Sequence, residues 1–206
     1  MKVLLFNGSP HANGCTAAAL SEIESRLHAC GIETERFHIG TSPVASCTAC
    51  GGCGKTGKCV FDDLVNEFGE KAKSADGFVF GSPVYYASPS GQCLSFMDRL
   101  FYAYSRYFDG KPACAVVSCR RGGASAAFDV LNKYFLMNNM PVVPSQYWNQ
   151  VHGNSPEDVA RDLEGLQTMR TLADNMAWMI RSFDAAKAAG IALPVREPKC
   201  RTNFIQ

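Results

Sequence analysis

Cys47, Cys50, Cys53 and Cys59 are separated by two, two and five residues, four thiols in one short stretch of a chain that has ten. Three cysteines at two-residue intervals can fold around a single cubane cluster, and a fourth can close it. Two-knuckle zinc sites separate their pairs by a dozen or more residues, so zinc fits this spacing less well. Ferredoxin-type runs place proline after the last cysteine; here Val60 follows Cys59. Spacing alone therefore admits a [4Fe–4S] cluster, a zinc ion or free thiols in a glycine-rich loop. The remaining cysteines are scattered and mostly read as small core residues.

A second pattern runs Gly8-Ser9-Pro10-His11-Ala12-Asn13-Gly14-Cys15-Thr16, after a short apolar run and before a helical one. A phosphate there would meet free backbone amides and the positive end of a helix dipole. Ser9 and Thr16 add hydroxyls and Asn13 an amide; no lysine is required, because a backbone nest carries partial charge. The plainer reading is a β–α turn with a capping serine. The loop lacks the G-x-G-x-x-G of dinucleotide folds. Gly54-Lys55-Thr56 imitates the end of a Walker A loop, but Ala49 stands where its first glycine belongs.

Two further loops carry chemistry. Gly81-Ser82-Pro83-Val84-Tyr85-Tyr86-Ala87-Ser88-Pro89-Ser90-Gly91 turns sharply at Pro83 and offers two adjacent tyrosines to a flat ring. Ser88 and Ser90 can cap the next helix. Ser118-Cys119-Arg120-Arg121-Gly122-Gly123 would let backbone approach a flat ligand closely. Arg120 or Arg121 either faces solvent or attracts a nicotinamide phosphate or an anionic ring.

These loops need elements to hold them. Strands are expected at 2–7, 32–39, 76–82, 112–118 and 141–144, and helices at 13–30, 61–74, 90–107, 123–137 and 156–187, the last broken near Asp174. Val159, Leu163, Leu166, Met169, Leu172, Met176 and Met179 form its core stripe. Alternation of this kind builds a three-layer α/β fold with a doubly wound parallel sheet. Five strands suit the flavodoxin-like order 2-1-3-4-5, and the loops after strands one, three and four then meet at its carboxyl edge, where ligands bind. A phosphate site, an aromatic loop and a glycine loop at that edge suit FMN. Residues 1–187 are expected to form one domain with the cysteine loop 40–60 inserted. Residues 188–206 are expected to form a tail, loose or wrapped on a neighbouring subunit.

Composition narrows the function further. The 206 residues are 47% hydrophobic and 19% charged with a formal charge of +1, which suits one globular domain. No basic surplus favours nucleic acid, and no acidic surplus favours a carrier that docks by charge. No run is long enough to span a membrane and the N-terminus lacks a signal peptide, so a cytoplasmic protein with reduced thiols is expected.

The motifs G-S-P-x-x-N-G-x-T and G-S-P-V-Y-Y-x-S-x-S-G resemble those of the NADPH-dependent FMN reductase family, to about residue 180. The cysteine spacing is similar to that of its iron–sulfur flavoprotein branch. The resemblance implies non-covalent FMN, NADH or NADPH as co-substrate, and dimers or tetramers. Ser9, Asn13, Gly14 and Thr16 would hold the phosphate, with Cys15 beside them and His11 in the place of a basic residue. Pro83, Val84, Tyr85 and Tyr86 would line the ring; Ser88, Ser118, Cys119, Arg120, Gly122 and Gly123 would frame it. No single acid or base is expected, because the cofactor carries the hard chemistry; Tyr85, Tyr86 and Arg120 are the candidates for shaping the second-substrate place. There nicotinamide and a small acceptor (quinone, flavin, iron chelate or nitroaromatic) would alternate. Two rivals are an electron-transfer protein with a cluster at Cys47, Cys50, Cys53 and Cys59, and a non-enzymatic binding module. Trp148 or His152 either edges the pocket or belongs to an aromatic core or dimer contact. Phe101, Tyr102 and Tyr104 are expected to be exposed beneath a partner subunit.

Overall fold

A computed structural model describes residues 1–198, 200, 202 and 204. The first strand, β1 (Lys2–Asn7), is buried from Val3 onward. Its alternating side chains feed two cores: Leu4 and Phe6 enter one, Val3 and Leu5 the other. A strand covered on both faces reads as a continuous apolar run, which is the signature of a parallel sheet. Helix α1 (Cys15–Ala29) then returns the chain to β2 (Glu33–His38). In register, Val3 pairs with Gly77 of β3 (Gly77–Tyr85) and with Thr34 of β2. Strand β5 (Ala113–Cys119) lies beside β3, and β6 (Gln150–His152) beside β5.

All these pairings are parallel, in the spatial order β2-β1-β3-β5-β6. Numbered among themselves, the five parallel strands run 2-1-3-4-5, the expected flavodoxin-like winding. The sixth strand, β4 (Ser88–Pro89), was not expected; it folds back antiparallel on the end of β3. Helices α3 (Leu64–Ala72), α4 (Gly91–Tyr104) and α5 (Ala124–Met137) bury Phe68, Phe96 and Leu131 on one face of the sheet. Helices α1 and α7 (Leu163–Ala188) bury Leu20, Ile23, Met169 and Leu172 on the other. In the first core the rings of Phe6 and Phe96 stack at 4.3 Å, and Phe68 meets Phe6 edge-on at 5.8 Å.

Four expectations need correction. The fifth parallel strand lies at Gln150–His152 rather than 141–144, where Val142 makes only one isolated bridge, to Ala113. Pro141 and Pro144 lack the amide a ladder needs, so continuous pairing waits for Gln150. Helix α7 is unbroken at Asp174; the break comes earlier, between α6 (Pro156–Val159) and Leu163. Asp162 caps the new helix by accepting from the Gly165 amide at 2.9 Å. Asp174 instead accepts two bonds from Arg26 of α1, at 2.7 and 3.0 Å, along the seam between the helices. Finally, Phe101 and Tyr104 are buried and only Tyr102 is exposed. Leu163, included in the core stripe, is also exposed.

The cysteine loop holds one short helix, α2 (Gly52–Thr56). Of the tail, residues 199, 201, 203, 205 and 206 lie outside the described residues, and with them that part of the expectation about wrapping a neighbour.

Helices α3 and α4 meet where Gly69 faces the ring of Tyr104, so close that any Cβ there would overlap Cζ and Cε1. Tyr104 cannot swing away without breaking its hydroxyl bond to Asn66 (3.2 Å). Gly69→Ala is expected to destabilise the chain by about 1–3 kcal/mol, the usual cost of overpacking. Urea unfolding measures this; a variant as stable as the parent would show that the contact is slack.

Candidate functional site

Strand β1 ends at Asn7, whose side chain organises the turn behind it. Its Oδ1 accepts from the Ser9 amide (3.1 Å) and its Nδ2 donates to the His11 carbonyl (3.3 Å). Ser9 is buried; its Oγ accepts from the His11 amide (3.1 Å), and His38 Nε2 donates to its carbonyl (2.9 Å). Beyond this turn, no amide from Ala12 to Ala17 has a hydrogen-bond acceptor among the described residues. Gly14 is the N-cap of α1 and supplies no side-chain bond. Helix starts leave orphan amides that must be satisfied by a cap, water or a ligand. Here they stand in a row at the positive end of a fifteen-residue helix.

The second loop leaves the adjacent strand. Val84 pairs with Pro89 and Tyr85 with Ser88, so Tyr86 and Ala87 form a two-residue hairpin turn. Both have left-handed backbones, φ 49° and 58°. Such turns require positive φ at both central positions and normally use glycine or asparagine. For other residues the conformation costs roughly 1–2 kcal/mol each, strain that collects at functional sites. Both tyrosines are exposed, Tyr85 partly (45%) and Tyr86 completely (106%).

Specific contacts tie the loops together. Ser90 caps α4 through the Cys93 amide (3.2 Å) and donates to the Gly8 carbonyl (2.8 Å). Ser82 Oγ accepts from the Ser90 amide at 3.0 Å. Ser88, the other expected cap, is instead part of β4. Pro83 lies opposite Ser118 in register, and the Ser118 and Thr16 hydroxyls are 2.8 Å apart. Gly123 adopts φ +88°, and a Cβ on it would stand 2.8 Å from Ala87 Cα. Only glycine allows α5 to begin this close to the tyrosine turn. The loops after β1, β3 and β5 are thus one assembly at the carboxyl edge of the sheet.

Other expected residues lie around it. Arg120 and Gly122 are exposed, and Cys119 is buried. Burial pushes both the Cys119 and Cys15 thiols up, which leaves neither a ready nucleophile. Cys15 points its sulfur at the Gly153 carbonyl (3.6 Å), joining the phosphate-type loop to the end of β6. The His152 amide donates to Asp162 (2.7 Å) while its ring stays half open to solvent. Trp148 is 50% exposed, its ring 4.7 Å from that of Tyr147.

The cysteine loop packs along one face of α4. Ser46 meets Ser95 (3.1 Å), Arg99 donates to Ala45 and Cys59, and Cys53 Sγ faces the Tyr102 carbonyl (4.0 Å). Cys47, Cys50, Cys53 and Cys59 all line one cavity of about 370 Å³, open mouth included, walled by Phe61, Arg99, Tyr102 and Ala103. Among the described residues no three metal-ligating side chains are close enough to hold an ion as the loop stands. The cavity's donor set is nonetheless four thiols with no carboxylate or imidazole, the soft set that selects iron–sulfur or zinc. The Gly52 amide holds the Cys50 thiol below its ordinary range, helped by the Thr48 hydroxyl.

Sequence reading missed Asn7, Ser82, Asn66 and Arg99. Asn7-Gly8 at a strand end is an Asx-turn signal that could have been read. Asn66 brackets Cys59, accepting from its amide (2.9 Å) and donating to its carbonyl (3.0 Å). Neither Asn66 nor Arg99 carries any local signal, because their partners lie on other elements.

A winding of this order with a phosphate-type loop, a tyrosine turn and a glycine loop at its carboxyl edge defines a flavodoxin-like protein. A flavodoxin from the domain Archaea superposes with a TM-score of 0.60 at 16% identity, covering 88% of this chain and 99% of that one. A flavone reductase superposes with a TM-score of 0.71 at 16% identity, covering 90% of this chain and 65% of that one. Such identities speak to fold alone. Residues 1–155 match the NADPH-dependent FMN reductase family, and the chain belongs to that family. An iron-sulfur flavoprotein of Methanocaldococcus jannaschii is 32% identical to it, over 88% of this chain and 98% of that protein. An iron-sulfur flavoprotein of Methanosarcina thermophila is 29% identical, over 85% and 93%. The chain is therefore a flavodoxin-like oxidoreductase. Among the described residues no helix is long and apolar enough to cross a membrane.

Proposed function

We propose that this chain binds FMN at the carboxyl edge of its sheet and acts as an NAD(P)H-dependent oxidoreductase toward a small acceptor. The observation that carries this reading is the row of acceptor-free amides from Ala12 to Ala17 at an uncapped helix start. Six donors and a helix dipole make a phosphate cradle without a single cation. Ser9, Asn13, Gly14 and Thr16 hold the phosphate. Pro83, Val84, Tyr85 and Tyr86 line the ring, and Ser118, Cys119 and the Gly122-Gly123 backbone close its edge. When bound, FMN supplies the hydride and single-electron chemistry. The protein's own part is to orient the ring, exclude water from one face and place Tyr85, Tyr86 and Arg120 around the second substrate. The test is a titration of flavin-free protein with FMN, followed by anaerobic mixing with NADH and with NADPH. Stoichiometric binding and flavin bleaching by either nucleotide are expected; a folded chain that ignores FMN ends the proposal.

A second reading is favoured by the cavity that all four clustered cysteines line. In it, Cys47, Cys50, Cys53 and Cys59 hold a [4Fe–4S] cluster, and the chain passes single electrons between FMN and a partner. The names of its relatives point the same way. Anaerobic protein with stoichiometric iron and sulfide, reduced only slowly by NAD(P)H, would favour this reading over the simple reductase.

A further inference from the structure

Arg99 sits on α4 among apolar residues, 1% exposed, yet nothing in the phosphate loop or the tyrosine turn touches it. A guanidinium has five N–H donors and tolerates burial only when they are paired. All five are used. Nε donates to Cys59 Sγ (3.2 Å). Nη1 donates to Asp63 Oδ2 (2.8 Å) and the Ala45 carbonyl (3.3 Å). Nη2 donates to Asp63 Oδ1 (2.8 Å) and the Phe61 carbonyl (3.2 Å). Its plane also lies over the Phe61 ring at 4.9 Å.

Four of these bonds have a structural purpose. They hold Ala45, ahead of Cys47, against Phe61 and Asp63, which follow Cys59, so one side chain gathers both ends of the cysteine loop. Asp63 is fixed in turn as the N-cap of α3, accepting from the Val65 amide (3.0 Å). The fifth bond is different. The carboxylate and two carbonyls are strong acceptors, whereas a thiol sulfur is a weak one. Aiming Nε at Cys59 makes chemical sense when that sulfur carries metal-thiolate charge.

We infer that Arg99 is a positioning residue for the four-cysteine centre, holding the Cys59 sulfur and raising the centre's reduction potential. The inference rests on the cluster reading above. Hydrogen bonds to cluster sulfurs and nearby charge are main determinants of such potentials. When one electron enters the centre, negative charge on the sulfurs grows. A guanidinium shielded from water stabilises that charge more than a solvated one does.

The experiment reconstitutes the FMN-loaded chain anaerobically with iron and sulfide, quantifies both, and titrates it reductively with dithionite. Wild type, Arg99→Lys and Arg99→Met are compared. In Arg99→Met, reduction of the cluster is expected to become about tenfold less favourable, a fall of ~59 mV for one electron. Arg99→Lys keeps the charge but loses the planar fork, and its midpoint is expected to fall by a smaller amount. It carries the test alone if Arg99→Met does not fold. The FMN midpoint is expected to stay put in both, which separates this role from general loosening of the fold. A cluster midpoint unmoved in a variant that retains iron overturns the role of Arg99 alone. A wild-type chain that takes up no iron removes the cluster reading and this inference with it.

Discussion

FMN is expected to bind this protein at least a hundredfold more tightly than riboflavin. The two ligands share the ring and the ribityl chain and differ only in the phosphate. Hydrogen bonds to a charged group contribute about 1.5–3 kcal/mol each, and each ~1.4 kcal/mol is a factor of ten in affinity. Two such bonds from the free amides at Ala12–Ala17 already exceed a hundredfold. Asn13→Asp places a carboxylate beside the cradle on an exposed residue, where the fold has little to lose. At roughly 6 Å and an effective dielectric near 20, the repulsion is about 3 kcal/mol before screening. Solvent and salt reduce it, so a loss of about tenfold in FMN affinity is expected. Riboflavin affinity should not change, and the penalty should shrink as salt is raised. Fluorescence titrations with both flavins measure all of this. Equal affinity for FMN and riboflavin would place the phosphate somewhere other than the start of α1.

On the cluster reading, replacing Cys53 with alanine is expected to abolish stable cluster assembly while leaving FMN affinity within about twofold. A cubane cluster of this kind is held by four cysteine thiolates, and the cavity is lined by Cys47, Cys50, Cys53 and Cys59. FMN affinity should survive because the two sites meet α4 at different heights. Ser90, at its start, bonds to Gly8 of the phosphate-type loop, whereas Cys53 faces the carbonyl of Tyr102 near its end. Twelve residues of helix separate these points, about 18 Å at ~1.5 Å per residue. Iron, sulfide and flavin assays on the same sample decide the matter. A variant that keeps a full complement of iron would show that Cys53 is not a ligand. Flavin lost together with iron would show that the two sites are coupled through the helix.

Much of the architecture was legible from local pattern. The run Val3-Leu4-Leu5-Phe6 announces a strand covered on both faces, and Gly8 through Thr16 announces a strand-to-helix turn rich in amides. Alternation of such units restricts the winding to very few forms, and the carboxyl edge follows from it. The cysteine spacing likewise shows four sulfurs able to share one centre. These features survive in one dimension because their physics acts within a few residues.

What needed the tertiary structure is whatever depends on a partner far along the chain. The left-handed turn at Tyr86-Ala87 has no glycine to reveal it, since packing against Gly123 sustains the strain that sequence preference argues against. Pro141 and Pro144 read as a strand, yet the sheet beside β5 is completed by Gln150–His152. Tyr104 looks like a surface aromatic until Gly69 opens a place for its ring. Arg99 carries no signal of its own in the sequence; only the fold brings Ala45, Cys59, Phe61 and Asp63 to its five donors. Local hydrogen bonding and hydrophobic period choose the elements, but the burial of a charge is decided by what the other elements bring to it.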